Sequence, residues 1–316
     1  MLGEFEQIAQ IMAPLAEKAE GAFALKNDAA VFHHDAGEEI VVTTDTLIAG
    51  VHFFETDEPE LLAQKILGVN LSDLAAMGAK PAHYTLNASY PADITSDWIK
   101  RFAHGLHETQ KRFNISLLGG DTTRTPGPLC FSLTAYGTVT KGKALQRLGA
   151  RVGDLVCVSG TIGDAALGLL AMQNKIKDES GWLAFRYQVP NARTALGQAL
   201  VSVARSCLDI SDGLITDMRH MQVGMEIEQK AIPLSDAAQH AIAEDSSFFG
   251  QVLNGGDDYE LLFSIAPDKA EQLTDIAEQT ATKISIIGRI TESPEIRILQ
   301  EDGQLYTDYP HGYRHF

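Results

Sequence analysis

The sequence predicts an α/β or α+β fold arranged as two domains, and three observations support this. The chain has 316 residues, which is long for one domain and comfortable for two. Strand-like and helix-like patterns alternate along it without a strict repeat. Residues 141–153 are basic and contain glycine, which is typical of a linker. We therefore expect an N-terminal domain over residues 1–140 and a C-terminal domain over residues 141–316.

The N-terminal half opens with helical spacing of apolar residues over residues 3–15. The other elements predicted in this half are, in order, a strand at 39–43, a helix at 59–77 ended by Gly78, a strand at 84–89, a helix at 96–112, and strands at 115–118 and 129–138.

The C-terminal half begins with a strand at 155–159, a glycine turn and a helix at 165–174. The elements predicted after it are a helix at 193–204, a strand at 207–210, a helix from 213, a strand at 260–265, a helix at 268–280 and a strand at 283–288.

Composition excludes several classes of protein. With 45% hydrophobic residues the chain can bury sizeable cores, so disorder is not expected. The net charge is −17, from 42 acidic and 25 basic residues, which argues against a nucleic-acid partner because phosphate backbones need clustered Lys and Arg. An acidic surface or a cation-binding cleft would each explain the excess.

Cysteine usage and the N-terminus predict a cytoplasmic location. Cys130, Cys157 and Cys207 lie far apart and form neither a disulfide framework nor a zinc motif. Cys157 and Cys207 each lie in an apolar stretch and are expected to be core residues. The first twenty residues carry acids that interrupt the apolar pattern, so neither a signal nor a transit peptide is expected. No apolar stretch reaches the ~18 residues of a membrane span.

Aspartates in small or apolar surroundings are the most informative feature. Asp73 lies on the apolar stripe of the predicted 59–77 helix, within about 20° of Leu62 and Ile66. A buried carboxylate needs a partner, either a hydrogen-bond donor, an arginine or a cation. Similar aspartates recur along the chain, at positions Asp28, Asp45, Asp121, Asp209, Asp212 and Asp257.

A shared cation explains this recurrence better than separate pairs. Asp45 is expected at the end of a strand and Asp121 after a Gly-Gly turn. Oxygen ligands without His or Cys select a hard ion, Mg²⁺ before Ca²⁺. Magnesium usually bridges carboxylates to substrate phosphates, so a nucleotide substrate is indicated. The chain has no GxxxxGK[ST] motif and no HRD or DFG set, which excludes the common nucleotide folds.

Taken together, the motifs resemble the thiamine-monophosphate kinase family over nearly the whole chain. The matching segments, in order, are Thr43-Thr-Asp-Thr-Leu47, Gly50-Val-His-Phe53, Asn70-Leu-Ser-Asp-Leu-Ala-Ala-Met-Gly-Ala79, Gly119-Gly-Asp-Thr-Thr-Arg124, Asp209-Ile-Ser-Asp-Gly-Leu214, Gly255-Gly-Asp-Asp-Tyr-Glu-Leu261 and Gly312-Tyr-Arg-His-Phe316.

The resemblance implies the two-domain fold of the aminoimidazole-ribonucleotide-synthetase-like superfamily, with mixed sheets packed against helices, usually as a homodimer. The N-terminal domain would bind metal and ATP and form the dimer, and the C-terminal domain would complete the active-site cleft. The implied reaction is direct, in-line transfer from ATP to thiamine monophosphate, giving thiamine diphosphate, with no catalytic general base.

Residue roles carry over from the same resemblance. A cluster of Mg²⁺ ions would be bound by Asp28, Thr43, Thr44, Asp45, Asp73, Asp121, Asp209 and Asp212. ATP would contact Gly120, Asp121, Arg147 and Ser211. Thiamine monophosphate would be held by His52, Glu260 and Tyr313. The alternatives are another ATP-dependent member of the superfamily or a catalytically weakened nucleotide-binding module, and only Asn27 favours the latter.

Position 27 departs from the family pattern, which usually has two adjacent aspartates where this chain has Asn27-Asp28. Asn offers a carbonyl oxygen but no charge. If the missing charge weakens the most loosely held Mg²⁺, Asn27→Asp should lower the Mg²⁺ concentration at half-maximal rate and leave the KM for thiamine monophosphate unchanged. Parallel Mg²⁺ titrations of the two proteins measure this. Superimposable curves would mean that Asn27 only shapes a turn.

Overall fold

The protein is described from a computed structural model that covers residue 6, residues 8–25 and residues 34–309. It consists of two compact units. The first comprises the described residues up to Leu74 together with Ala79–Gly142, and the second comprises Ala75–Gly78 with the described residues from Lys143 onward. Asn27, Asp28 and Tyr313, which the sequence analysis singled out, lie outside the described residues.

Strands and helices alternate over the described residues. The strands are β1 Glu38–Ile48, β2 Lys80–Tyr90, β3 Ser116–Arg124, β4 Cys130–Thr140, β5 Leu155–Ser159, β6 Ala204–Asp209, β7 Gly224–Glu228, β8 Leu261–Ile265, β9 Ile284–Thr291 and β10 Ile296–Leu299. The α-helices are α1 Pro59–Ala76, α2 Ser96–Phe113, α3 Asp164–Met172, α4 Trp182–Gln188, α5 Thr194–Leu200, α6 Leu214–His220, α7 Asp236–Glu244, α8 Phe248–Asn254 and α9 Gln272–Thr280.

The first unit is a four-stranded mixed sheet with two long helices. Its strand order is β1-β4-β2-β3, in which β2 and β3 are parallel and the other neighbours are antiparallel. Phe102 of α2 stacks on Phe131 of β4 with 4.7 Å between ring centroids. The Tyr84 hydroxyl of β2 donates a hydrogen bond of 2.7 Å to Gln110 of α2. These contacts fix α2 against the apolar face of the sheet.

Because β1 and β3 extend further along the chain than the sequence predicted, two expectations were wrong. Asp45 lies inside β1, which continues to Ile48, and not at a strand end. The Gly119-Gly120 pair lies inside β3 and forms no turn. Gly120 has φ +154°, and a Cβ there would lie 1.8 Å from the Leu86 carbonyl oxygen, so only glycine allows β3 to pair at this point.

Two of the predicted helices are not continuous α-helices in the structure. In the described part of the 3–15 segment, Ile8–Met12 is a π-helical turn and Ala13–Ala16 a 3₁₀ turn. Pro14 has no amide hydrogen, so it cannot donate the bond that an α-helix requires. The predicted 268–280 helix divides into a 3₁₀ turn at Pro267–Lys269 and the α-helix α9.

The second unit is a six-stranded mixed sheet covered by helices on both faces. Its order is β10-β7-β9-β5-β8-β6, with only the β10–β7 pair parallel. Alternate residues of β5 belong to different hydrophobic clusters, Val156 to one and Cys157 to the other. Such alternation is what a strand buried on both sides requires. Cys157 and Cys207 are core residues, as predicted. None of the described helices has the length and apolar character that crossing a bilayer requires.

The two helices of the first unit approach each other closely at Gly105. A Cβ there would lie 2.3 Å from the Glu60 carbonyl oxygen and 2.8 Å from the Ala63 Cβ. Gly105→Ala should therefore lower the free energy of unfolding by about 1–3 kcal/mol, because the helices must separate, although Ala is the better helix former. Urea unfolding measures this. Gly37→Ala, which places a methyl in open space, is the matched control, and an equal effect of the two changes would refute the prediction.

Candidate functional site

The first unit places two carboxylates beside each other, Asp45 from β1 and Asp73 from α1. The Thr43 hydroxyl, two residues before Asp45, donates a hydrogen bond to Asp73 Oδ2. Burial, followed by the charge of Asp73 and a hydrogen bond with it, raises the pKa of Asp45 to about 6. Two acids are thus held together where a sheet meets a helix, at an electrostatic cost to the folded protein.

These residues fit a hard cation. Asp45 Oδ2 is buried and has no hydrogen-bond partner within the part of the chain that the structure describes, and such an atom normally costs free energy unless something satisfies it. The donors are carboxylate and hydroxyl oxygens, the set that Mg²⁺ prefers. A divalent ion would also cancel the repulsion between Asp45 and Asp73.

The other sheet residues predicted for the site, Thr44, Gly120 and Asp121, lie on β1 and β3. Thr44 hydrogen-bonds the Leu133 carbonyl over 3.0 Å and accepts from Thr134 over 3.1 Å. Asp121 is exposed, lies opposite Asn87 in the sheet, and accepts the Thr122 amide over 2.8 Å. Gly120 is in register with Leu86, which in turn pairs with Leu133, the partner of Asp45. Gly120 and Asp45 therefore share one row of the sheet.

His52 lies in the turn that follows β1. Its Nδ1 accepts the Ile48 amide over 3.1 Å, so in the neutral ring the proton is on Nε2. The ring is half-buried and is fixed as an Nε2–H donor.

In the second unit, the Asp209–Gly213 loop packs against the Gly255–Glu260 segment. The Asp257 amide donates to the Ser211 carbonyl and the Tyr259 amide to the Ile210 carbonyl, each over 2.8 Å. A Cβ on Gly256 would lie 2.5 Å from the Ser211 carbonyl oxygen, so glycine permits this approach. The tertiary structure thus joins two motifs that lie more than forty residues apart.

Asp217, which the sequence analysis missed, lies next to this loop. It is buried in α6, and its Oδ2 accepts the amides of Ser211 and Asp212, each over 3.0 Å. Burial raises the pKa of Asp217 to about 7 and the Asp212 charge contributes to the rise, whereas the two amides and Arg147 lower it. The sequence signal that could have identified Asp217 is an acidic residue in the first turn of a helix that begins after a glycine.

Glu260 is buried and ion-paired. Arg193 binds it as a fork with two contacts of 2.6 Å, and Arg186 lies 3.2 Å away. The Ser159 hydroxyl donates to the same carboxylate over 2.5 Å. Sequence analysis missed both arginines. The side chain of Glu260 is 1% exposed and that of Arg193 is 15% exposed. Solvent therefore reaches this ion pair mainly at Arg193.

Among the described residues, one group of three metal-ligand side chains has its ligand atoms within 4.8 Å of one another, namely Asp212, Asp217 and His220. Asp209 is buried at the end of β6, three residues before this group. Asp28 and Tyr313 lie outside the described residues and their placement stays a prediction.

The fold and these motifs define a class of protein. Residues 26–139 match the family AIR synthase related protein, N-terminal domain, and residues 151–300 match AIR synthase related protein, C-terminal domain. The predicted fold class is therefore confirmed.

Within that class, the chain belongs to the thiamine-monophosphate kinase family, as its motifs indicated. It is 38% identical over 296 residues to the thiamine-monophosphate kinase of Caulobacter vibrioides, covering 92% of this chain and 84% of that protein. The crystal structure of thiamine-monophosphate kinase from Stenotrophomonas maltophilia matches with a TM-score of 0.86 at 38% identity, over 96% of this chain and 98% of that one. A structure of AaThiL complexed with AMPPCP and TMP matches with a TM-score of 0.78 at 29% identity, over 100% and 97% of the two chains.

The Asp45–Asp73 pair generates a prediction about stability. Asp45→Asn removes the repulsion and the cost of burying a charge, so the metal-free variant should unfold at a temperature higher by on the order of 3 °C. Mg²⁺ should raise the unfolding temperature of the wild type and have less than half that effect on the variant. Scanning calorimetry with and without MgCl₂ measures both.

The control for this experiment is Asp93→Asn, which neutralises an exposed carboxylate of the same unit. It should respond to Mg²⁺ as the wild type does. An Asp45→Asn variant with the full Mg²⁺ response would show that Asp45 holds no cation.

Proposed function

We propose that this chain transfers the terminal phosphoryl group of ATP to the phosphate of thiamine monophosphate, giving thiamine diphosphate and ADP. The observation that carries this function is the Asp45–Asp73 pair, whose one buried oxygen finds no partner in the described residues, in a chain that matches thiamine-monophosphate kinases over almost its whole length. The match to a relative complexed with AMPPCP and TMP supports both substrates.

Magnesium is the proposed cofactor, and it would neutralise phosphate charge and bring two anions together. Each unit offers carboxylates for it. In the first unit the best-supported donor set is the pair of Asp45 and Asp73 with Thr43. In the second unit we assign Asp209 and Asp212. We assign supporting positions to the remaining candidates, Asp28, Thr44 and Asp121.

The nucleotide and the acceptor have separate proposed contacts. ATP is assigned to Gly120, Asp121, Arg147 and Ser211. Thiamine monophosphate is assigned to His52, Glu260 and Tyr313. The Nε2–H of His52 suits a phosphate oxygen as acceptor. Glu260 would act with Arg193, since its carboxylate is bound by that guanidinium.

The residues have a limited chemical task in this reaction. The acceptor phosphate is already an anion at neutral pH, so no general base is needed to activate it. Transfer then depends on orientation and on cationic or hydrogen-bond donors near the transferred group. Arg147 and His52 provide such donors. Direct transfer without a phosphorylated enzyme follows from the lack of any need for a protein nucleophile.

A homodimer in the cytoplasm is the proposed assembly and location. The side chains of Val42 and Ile40 on β1 are 56% and 39% exposed, and burying them against a second copy would remove apolar surface from water. The three cysteines are free, which fits a reducing compartment.

The function is tested with purified protein, ATP, MgCl₂ and thiamine monophosphate, with products separated by chromatography. We expect thiamine diphosphate and an equal amount of ADP. Unphosphorylated thiamine should not be turned over appreciably, because it lacks the attacking phosphate. Asp73→Asn, purified in the same way, should lose the activity, which excludes a contaminating kinase. Comparable phosphorylation of thiamine, or no thiamine diphosphate from the wild type, would contradict the proposal.

A further inference from the structure

Asp217 accepts two hydrogen bonds from the backbone of one short loop. Its Oδ2 accepts the amides of Ser211 and Asp212, each over 3.0 Å. Both amides therefore point toward one oxygen atom, which fixes the peptide planes between residues 210 and 212. The side chains of Ser211 and Asp212 leave this backbone in directions that the two bonds determine.

The opposite side of the loop is held by a rigid neighbour. The Asp257 amide bonds the Ser211 carbonyl over 2.8 Å. A Cβ on Gly213 would lie 2.6 Å from the Asn254 Cα, so the loop has no room to move in that direction. Asn254 Oδ1 accepts the Thr216 amide and hydroxyl over 3.1 and 2.8 Å, which fixes the start of α6, the helix that carries Asp217.

The positive charge of Arg147 lowers the pKa of Asp217, although burial raises that pKa more. The segment that carries Arg147 is attached beside β6, where the Cys207 amide donates to the Gln146 carbonyl over 2.8 Å. A Cβ on Gly149 would lie 2.3 Å from the Arg205 carbonyl oxygen. Asp217 thus bonds the backbone of Ser211 and Asp212, and its carboxylate also interacts electrostatically with Arg147.

We propose that Asp217 is a positioning residue for nucleotide binding, which orients Ser211 and Asp212 without contacting the substrates itself. This rests on the function proposed above, in which Ser211 contacts ATP and Asp212 contacts Mg²⁺. What the role requires is a hydrogen-bond acceptor at the Oδ2 position, and no negative charge.

Asp217 could instead bind metal directly, since its ligand atoms lie near those of Asp212 and His220. The two roles differ in what they require. An amide oxygen can accept both backbone amides, so Asp217→Asn retains the positioning contacts. It removes the charge that a metal ligand would need. Asp217→Ala removes both the hydrogen-bond acceptor and the charge.

The experiment compares the wild type with Asp217→Asn, Asp217→Ala and a control, Asp178→Ala. Asp178 is a loop aspartate of the same unit that accepts the Ala184 amide over 3.0 Å, so its loss tests general loop damage. Two quantities are measured for each protein. One is the dissociation constant of AMPPCP in excess MgCl₂ by calorimetry, and the other is the KM for ATP and for thiamine monophosphate.

We expect Asp217→Ala to weaken AMPPCP binding and to raise the KM for ATP by about tenfold or more, as losing two buried hydrogen bonds should. The KM for thiamine monophosphate should change by less than about twofold. Asp217→Asn should bind AMPPCP within about threefold of the wild type. Asp178→Ala should bind it like the wild type.

Two results would overturn the inference. If Asp217→Asn is as impaired as Asp217→Ala, the charge matters and Asp217 is a metal ligand. If Asp217→Ala binds AMPPCP like the wild type, or no worse than Asp178→Ala, the loop needs no such support. Either result can be obtained while the wild type still makes thiamine diphosphate, so failure of this inference is distinguishable from failure of the proposed function.

Discussion

Buried carboxylates must be satisfied, and this constraint organises the chemistry of both units. A carboxylate taken out of water needs hydrogen-bond donors, a basic partner or a cation. In the first unit Asp45 and Asp73 lie together, and one buried oxygen of Asp45 has no hydrogen-bond partner among the described residues. This oxygen differs in that respect from a carboxylate held in a structural ion pair, and a bound cation would satisfy it.

In the second unit, by contrast, several buried acids have hydrogen-bond or ion-pair partners within the protein. Glu260 is bound by Arg193, Arg186 and Ser159, and Asp217 accepts two backbone amides. Asp258 is fully buried with both oxygens on the Gly163 amide, and its burial raises its pKa well above the usual value. These acids are satisfied by the protein's own donors, so their structural role is to hold loops and arginines in place. The roles proposed for Asp212 and Arg147 in substrate binding depend on loops that these acids hold in place.

The second physical requirement is that certain backbone segments approach each other closely, which glycine permits because it has no Cβ. Gly120 lets β3 pair with β2 beside the Leu86 carbonyl, and Gly256 lets its segment pack on the Ser211 carbonyl. In each case a methyl group would overlap a main-chain oxygen. The second glycine of each Gly-Gly-Asp motif, Gly120 or Gly256, is thus explained by strand or loop packing in this chain, in addition to any contact with nucleotide.

The sequence by itself determined the class of the protein, the alternation of strands and helices, and the identity of the candidate acids. It could do so because periodicity and motif order are local properties of the chain. Several short elements, among them α4, α7 and α8, were not predicted, since seven to nine residues carry little periodic signal.

Only the tertiary structure decided which acids are paired with which partners. Asp45 and Asp73 lie 28 residues apart in sequence, and Glu260 lies 67 residues from Arg193. The same structure showed that Gly119-Gly120 is strand and that Asp217 fixes the Ser211–Asp212 backbone. Burial, and therefore whether a carboxylate is stabilised or left unsatisfied, depends on which distant segments cover it. No local pattern in a single sequence records that information.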